Sequence, residues 1–330
     1  TDTASIPLNI MASEVKLTHG GRQLEVTWDV AVQGVRSSCF STEWLRRHCY
    51  LHEQRVRRSL SPPIHQWGSE LVSLLPELSV PYQEVMTDDA ALLRVLRLVH
   101  RYGVALVSAT PVNTAASQQV VERIGPVRQT IYGGFWETRV LPSQDTSHID
   151  SAFSTCALPA HTDGNYWRDP PGLQVFHCLQ ADANGGETLL VDGFQVAQNL
   201  QENNPSALRL LSTTPVAFQH RDRDNHMVAY HTVVGTDALG TVNRFSLNTL
   251  DRDRLSLPRE EVAPFYSAWH ALCQEVRKGS NEAWLKLHPG TLIILNNRRV
   301  LHGRSSISAG SSRVLCGCYV SYEDYTSRLS

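Results

Sequence analysis

His161, Thr162 and Asp163 form an H-T-D step. In extended chain, residues i and i+2 project to the same face, so this imidazole and carboxylate point the same way. Two ligands arranged like this lack only a third, from a distant strand, to complete a two-histidine, one-carboxylate set. Such a set covers one face of iron(II) and leaves three positions open for a chelating cosubstrate and O2. His302, in Val300-Leu301-His302-Gly303-Arg304, is the candidate third ligand. Taken alone, the H-T-D step is more often a hydrogen-bonding pair at a strand end than a ligand pair.

Eleven residues beyond His302 stands Arg313, at the edge of the apolar run Val314 to Tyr319. A guanidinium on an inward strand binds a carboxylate with two parallel hydrogen bonds, as the distal carboxylate of 2-oxoglutarate requires. Thr188 follows the turn Gly185-Gly186-Glu187, and its hydroxyl offers one more bond to the same group. The plainer readings are a surface arginine and a hairpin threonine. Tyr132 and Trp136, spaced i, i+4 around Gly133-Gly134, supply π-faces for a quaternary ammonium, or else a core aromatic cluster.

These groups need rigid carriers. Val15 and Leu17, then Leu24, Val26 and Trp28, alternate on either side of Gly20-Gly21 and predict a hairpin. Beyond it, a basic, proline-containing stretch without steady apolar period suggests a linker near residues 80–88, dividing a small β-rich N-terminal domain (1–85) from a catalytic domain (86–330). Thr87-Asp88-Asp89 offers caps to a helix with Leu92, Val95, Leu96 and Val99 on one face and Gly103 at its end. Strands are expected at 104–107, 173–178, 188–191, 292–295 and 314–320, and helices at 204–211 and 260–276. Many short strands with few helices predict a mainly β fold with flanking helices and a jelly-roll core.

The ordered segments AHTDGNYW, PPGLQVFHCL, NGGETLLVDGF, RRVLHGR and SRVLCGCY resemble the TauD-like oxygenases, in the branch that holds trimethyllysine and γ-butyrobetaine dioxygenases. The likeness runs from about Leu92 to Tyr325. It implies a double-stranded β-helix, iron(II) on His161, Asp163 and His302, and 2-oxoglutarate and O2 as cosubstrates. Ascorbate is the implied reductant. Arg313 falls on the 2-oxoglutarate clamp, with Thr188 as its smaller partner. Tyr132, Trp136 and Tyr319 fall on cage positions, and Asp150 and Asn248 on contacts to the substrate's polar end.

Two departures stand out. Phe153 replaces a cage tyrosine, and Gly164 follows the aspartate where one relative carries an aromatic residue. Near WLRRHCY, only Cys39 and Cys49 with His48 or His52 remain where a relative holds structural zinc, so no zinc site is expected. The small domain is implied to help form a homodimer. His177, His220, His226 and His231 read as mainly structural, with His226 the one candidate to reach the pocket.

A formal charge of −2 and pI near 6.7 give no electrostatic reason to expect nucleic acid or an anionic membrane. Seven cysteines without paired spacing argue against a disulfide framework and for a reducing compartment, cytoplasmic unless a leader directs the chain to the mitochondrion. The expected substrate is a free amino acid or betaine, with Nε-trimethyllysine first, oxidised at an unactivated C–H bond. Alternatives are a specialised-metabolism oxygenase that hydroxylates, desaturates or cyclises another amino acid, and a non-catalytic barrel-shaped binding protein.

Overall fold

The computed structural model describes residues 3–49, 63–140, 155–181, 185–238, 240–308 and 313–329. Its contacts divide the chain into Thr1–Ser61 and Pro62–Ser330. In the first unit, β1 (Ala12–Thr18), β2 (Gln23–Val32) and β3 (Val35–Ser41) form an antiparallel sheet. The expected hairpin is present, with Val15 opposite Val26 and Leu17 opposite Leu24. Its turn passes through Gly20 and Gly21 at φ 65° and 84°, a region where a Cβ is strained. Helix α1 (Thr42–His48) follows, capped by the Ser41 hydroxyl, which accepts from Trp44 N. Cys39 Sγ donates to Gln23 and His48 Nδ1 donates to the Trp44 carbonyl. His52 lies outside the described residues.

The division at Ser61/Pro62 falls well before the boundary expected at 85/86. Residues 67–85 belong to the larger unit because Trp67, Leu71, Leu78, Val80 and Val85 are all buried in its cores. Short elements, α2 (Leu71–Leu74), β4 (Ser79–Pro81) and α3 (Tyr82–Thr87), carry them. None is long enough to show a period.

In the larger unit, α4 (Asp89–Tyr102) has Asp88 as its cap, accepting from Ala90 N. It ends at Gly103 with φ 75°, and Leu92, Val95, Leu96 and Val99 are buried. Strands β5 (Val104–Ser108), β6 (Trp136–Val140), β7 (Leu158–His161), β8 (Leu173–Ala181) and β9 (Thr188–Asp192) come next, with α5 (Thr114–Ile124) after β5. Then come α6 (Gly193–Asn203), α7 (Pro205–Thr213), β10 (Pro215–Arg221), β11 (His226–Thr232), β12 (Val234–Thr236) and β13 (Val242–Phe245). Helix α8 (Arg259–Val276), β14 (Ala283–Leu285), β15 (Leu292–Asn296), β16 (Val300–Arg304), β17 (Arg313–Val320) and α9 (Tyr322–Leu329) complete it.

A six-stranded sheet of order β4-β5-β15-β8-β17-β6 and a four-stranded sheet of order β14-β9-β16-β7 carry the candidate residues His161, Thr188, His302 and Arg313. Alternation along the strands sets the layers. Leu190 and Val300 of the smaller sheet join Leu106, Cys178, Ile293, Leu295 and Leu315 of the larger in one core between the sheets. The opposite face of the larger sheet, including Ala105, Val107, Leu173, Val175, Ile294 and Cys318, packs on α4 and α5. Leu189, Val191 and Leu301, on the back of the smaller sheet, pack on α6, α7 and α8. Each fully buried leucine, isoleucine or valine contributes about 1.5–3 kcal/mol. The fold is mainly β with flanking helices, and every expected strand is present. Sheet burial on both sides explains why those strands read as unbroken apolar runs.

Candidate active site

Strand pairing builds the centre. In the β7·β16 ladder His161 lies directly opposite His302, and their ring centroids are 4.5 Å apart. Asp163, just past the end of β7, places Oδ1 3.3 Å from His161 Nε2 and Oδ2 3.7 Å from His302 Nε2. One ligand atom from each of the three residues lies within 4.8 Å of the others, the one such cluster found among the described residues. The ring of His161 is fixed by Nδ1, 2.8 Å from the Pro159 carbonyl. A carbonyl only accepts, so Nδ1 carries a proton, and Nε2 is the nitrogen left facing Asp163.

The electrostatics suit a cation at the convergence. Burial would push the Asp163 carboxyl up, but His302, His161 and the Tyr319 hydroxyl together hold it well below the usual carboxylate range. Burial and the neighbouring His161 push His302 down to about 3. For His161, burial favours the neutral ring, yet Asp163 outweighs it and leaves the group raised. The result is an ionised carboxylate beside a neutral His302 and a His161 that holds its proton more tightly than a free imidazole; a divalent ion bound here would compete with that proton. The donor set, two nitrogens and a carboxylate with a face left open, fits iron(II).

Beside this centre, Arg313 Nη2 donates to Thr188 Oγ1 at 3.3 Å. Thr188 also lies opposite Arg304 in the β9·β16 ladder. Burial lowers both guanidinium groups, Arg304 to about 10 with Arg313 adding to the effect. Arg304 Nη2 donates to the Cys156 carbonyl at 3.0 Å, so the partly desolvated cation at the Thr188 hydroxyl is Arg313, a place suited to a carboxylate.

Aromatic side chains adjoin this centre. The Tyr319 hydroxyl donates to Asp163 Oδ2 at 2.9 Å. Its ring lies 6.0 Å from both Trp136 and Trp167. Trp136 also meets Phe176, which in turn meets His302 at 5.4 Å. Tyr132 belongs to a second group: its hydroxyl is 2.8 Å from that of Tyr166, and its ring contacts Trp167 and His220. Tyr132 and Trp136 are thus joined through Trp167 and Tyr319. Arg128 already covers the Trp167 ring at 5.2 Å.

Asn248 is 7% exposed and holds a turn, accepting from Leu250 N and donating to Asp251. Asp150 and Phe153 lie outside the described residues. His177 is buried against Ser117, and His231 donates to the Trp167 carbonyl from behind. His226 is exposed at the start of β11, opposite Arg221. His220 joins the aromatic group instead and is tied to Asp222 at 3.0 Å. Gly164 has φ 69°, and a Cβ there would come within 2.5 Å of Trp167, so the Trp167 ring takes the space a side chain at 164 would need.

Tyr166, Trp167, Phe176 and Asn297 were not singled out from sequence. The first two stand next to the H-T-D step, within AHTDGNYW, and their proximity was the available signal. Phe176 could have been placed by counting alternate residues along β8.

Comparison with known proteins gives a consistent result. Residues 58–319 match the family described as "Taurine catabolism dioxygenase TauD, TfdA family". Mitochondrial trimethyllysine dioxygenase of Mus musculus is 33% identical over 329 residues, 98% of this chain and 75% of that protein. Gamma-butyrobetaine dioxygenase of Pseudomonas sp. (strain AK-1) is 31% identical over 331 residues, covering 99% and 82%. Among solved structures, PvcB from Pseudomonas aeruginosa superposes with a TM-score of 0.52 at 18% identity, over 72% of this chain and 81% of that one.

Proposed function

The chain belongs to the TauD, TfdA family and is a dioxygenase of the iron- and 2-oxoglutarate-dependent type; from that premise we propose that it oxidises an unactivated C–H bond of a free amino acid or betaine, with Nε-trimethyllysine the first candidate. The observation that carries this reading is the run of aromatic rings ending at Tyr319, whose hydroxyl binds the Asp163 carboxylate. A substrate held against those rings is presented directly to the metal ligands. The two facing sheets are read as a double-stranded β-helix.

In this reading His161, Asp163 and His302 hold iron(II), which when bound supplies O2 activation coupled to decarboxylation of 2-oxoglutarate. Arg313 and Thr188 receive the distal carboxylate and fix the cosubstrate's orientation. Tyr319 steadies Asp163 and, with Trp136, Tyr132, Tyr166 and Trp167, encloses the substrate's cationic end and excludes water. Asp150 and Asn248 remain candidates for the polar end, and Phe153 for the aromatic cage. Ascorbate serves as reductant, and the chain works as a homodimer. Family membership sets aside the non-catalytic reading.

A second reading, an oxygenase of another small amino acid, is favoured by one feature. The Tyr132–Tyr166 hydroxyl pair and Arg128 over Trp167 make the wall more polar, and on one side more cationic, than a simple ammonium cage. Succinate release across trimethyllysine, γ-butyrobetaine, lysine and uncharged amino acids separates the two. Stimulation by trimethyllysine above the substrate-free rate supports the first. Stimulation by an uncharged amino acid alone overturns it.

A further inference from the structure

Asp163 lies beyond the end of β7, so no ladder partner fixes its backbone. A single side chain does so instead. Asn297 Oδ1 accepts from Asp163 N at 2.9 Å, and Asn297 Nδ2 donates to Asp163 O at 3.0 Å and to Pro171 O at 3.2 Å. Its own backbone N donates to Gly172 O at 2.9 Å. Asn297 is 1% exposed, so its end of each of these bonds is sheltered from water.

The position of Asn297 gives these bonds a consequence. It lies in the turn joining β15 to β16, and β16 carries His302. The carboxylate ligand follows one strand and the second histidine sits on another, and the Asn297 carboxamide locks the main chain of the first to the hairpin of the second. His161 is already fixed through Pro159 and by its ladder position opposite His302. Asp163 is the ligand whose placement depends on a side chain.

The geometry points to Asn297 as a positioning residue that sets Asp163 against His302 and so determines the affinity and geometry of the metal centre. This rests on the reading of that cluster as an iron site. Outer groups that orient metal ligands are typically worth 10–100-fold in metal affinity. Aspartate at 297 keeps the acceptor for Asp163 N but turns an oxygen toward two carbonyl oxygens, so it disrupts the clamp while nearly conserving shape.

The test is anaerobic equilibrium binding of iron(II) alone to the full chain, comparing wild type, Asn297→Ala, Asn297→Asp and His161→Ala. Val95→Ala, a buried α4 change in a separate core cluster, controls for lost stability. Asn297→Ala is expected to raise the iron(II) Kd about tenfold, with Asn297→Asp doing the same, while Val95→Ala leaves it unchanged. The charge-transfer band formed on adding 2-oxoglutarate should also move in the Asn297 variants. If the alanine variant does not fold, the aspartate variant carries the comparison. A folded Asn297 variant that binds iron like Val95→Ala, with the band unmoved, overturns the inference while His161→Ala still loses iron. If His161→Ala binds as well as wild type, the iron reading itself has failed and this inference fails with it.

Discussion

The Tyr319 hydroxyl donates to Oδ2 of Asp163 at 2.9 Å, so one residue touches both the proposed metal carboxylate and the proposed aromatic wall. Sequence resemblance implied only the second role. Tyr319→Phe separates them, because it removes the donor and keeps the ring. Iron(II) affinity is expected to fall about tenfold, as for other outer-shell partners, while substrate KM changes little. Equilibrium iron binding and steady-state kinetics on one preparation check this. A raised substrate KM with unchanged iron affinity would reverse the assignment.

Arg313 donates to Thr188, and both face the proposed site of the cosubstrate's distal carboxylate. Arg313→Ala removes a charge-assisted bond of about 1.5–3 kcal/mol and is expected to raise the 2-oxoglutarate KM by about 10–10²-fold. Thr188→Val, at about 1 kcal/mol, should raise it about fivefold. An unchanged 2-oxoglutarate dependence in Arg313→Ala would move the clamp elsewhere.

Trp136 lies over Gly317, where a Cβ would come within 2.3 Å of its indole Cη2. Gly317→Ala must therefore shift the ring, at an overpacking cost of about 1–3 kcal/mol. Expected outcomes are a lower melting temperature, altered tryptophan fluorescence and a raised substrate KM, with iron binding retained. Kinetics matching wild type would show that the Trp136 ring is not part of the substrate wall.

His177 is buried against Ser117, and burial pushes it down to about 4. The unfolded chain takes up this proton more readily than the folded one, so stability falls as pH drops from about 6.5 toward 4. His177→Gln removes the group that gains this proton and should flatten the acid side of the melting-temperature profile. An equally steep acid limb in the variant would assign the effect to other groups.

The clustering of His161, Asp163 and His302 could be anticipated because an i, i+2 pair in extended chain shares a face even though β7 ends at His161, and because His302 and Arg313 lie in apolar runs that had to be buried strands. The expected strands were equally clear, each buried on both faces. Residues 62–85 were assigned to the wrong unit because short elements such as β4 and α3 show no period, although Leu78, Val80 and Val85 are buried. The β10–β13 hairpins were missed for a related reason: the exposed Tyr230 and Val228 interrupt their patterns. Asn297 was invisible from sequence because its role is a contact to the main chain of a residue distant in sequence. His220 was read as structural, and only the folded chain brings it to Tyr166.

The central claim, an iron(II) and 2-oxoglutarate centre on His161, Asp163, His302 and Arg313, is tested most directly by anaerobic titration of iron(II) with 2-oxoglutarate, followed by visible absorption. A charge-transfer band saturating at one iron per chain is expected. It should be absent in His161→Ala and should require much more 2-oxoglutarate in Arg313→Ala. A wild-type chain that gives no band, or a band that His161→Ala leaves intact, would contradict the account.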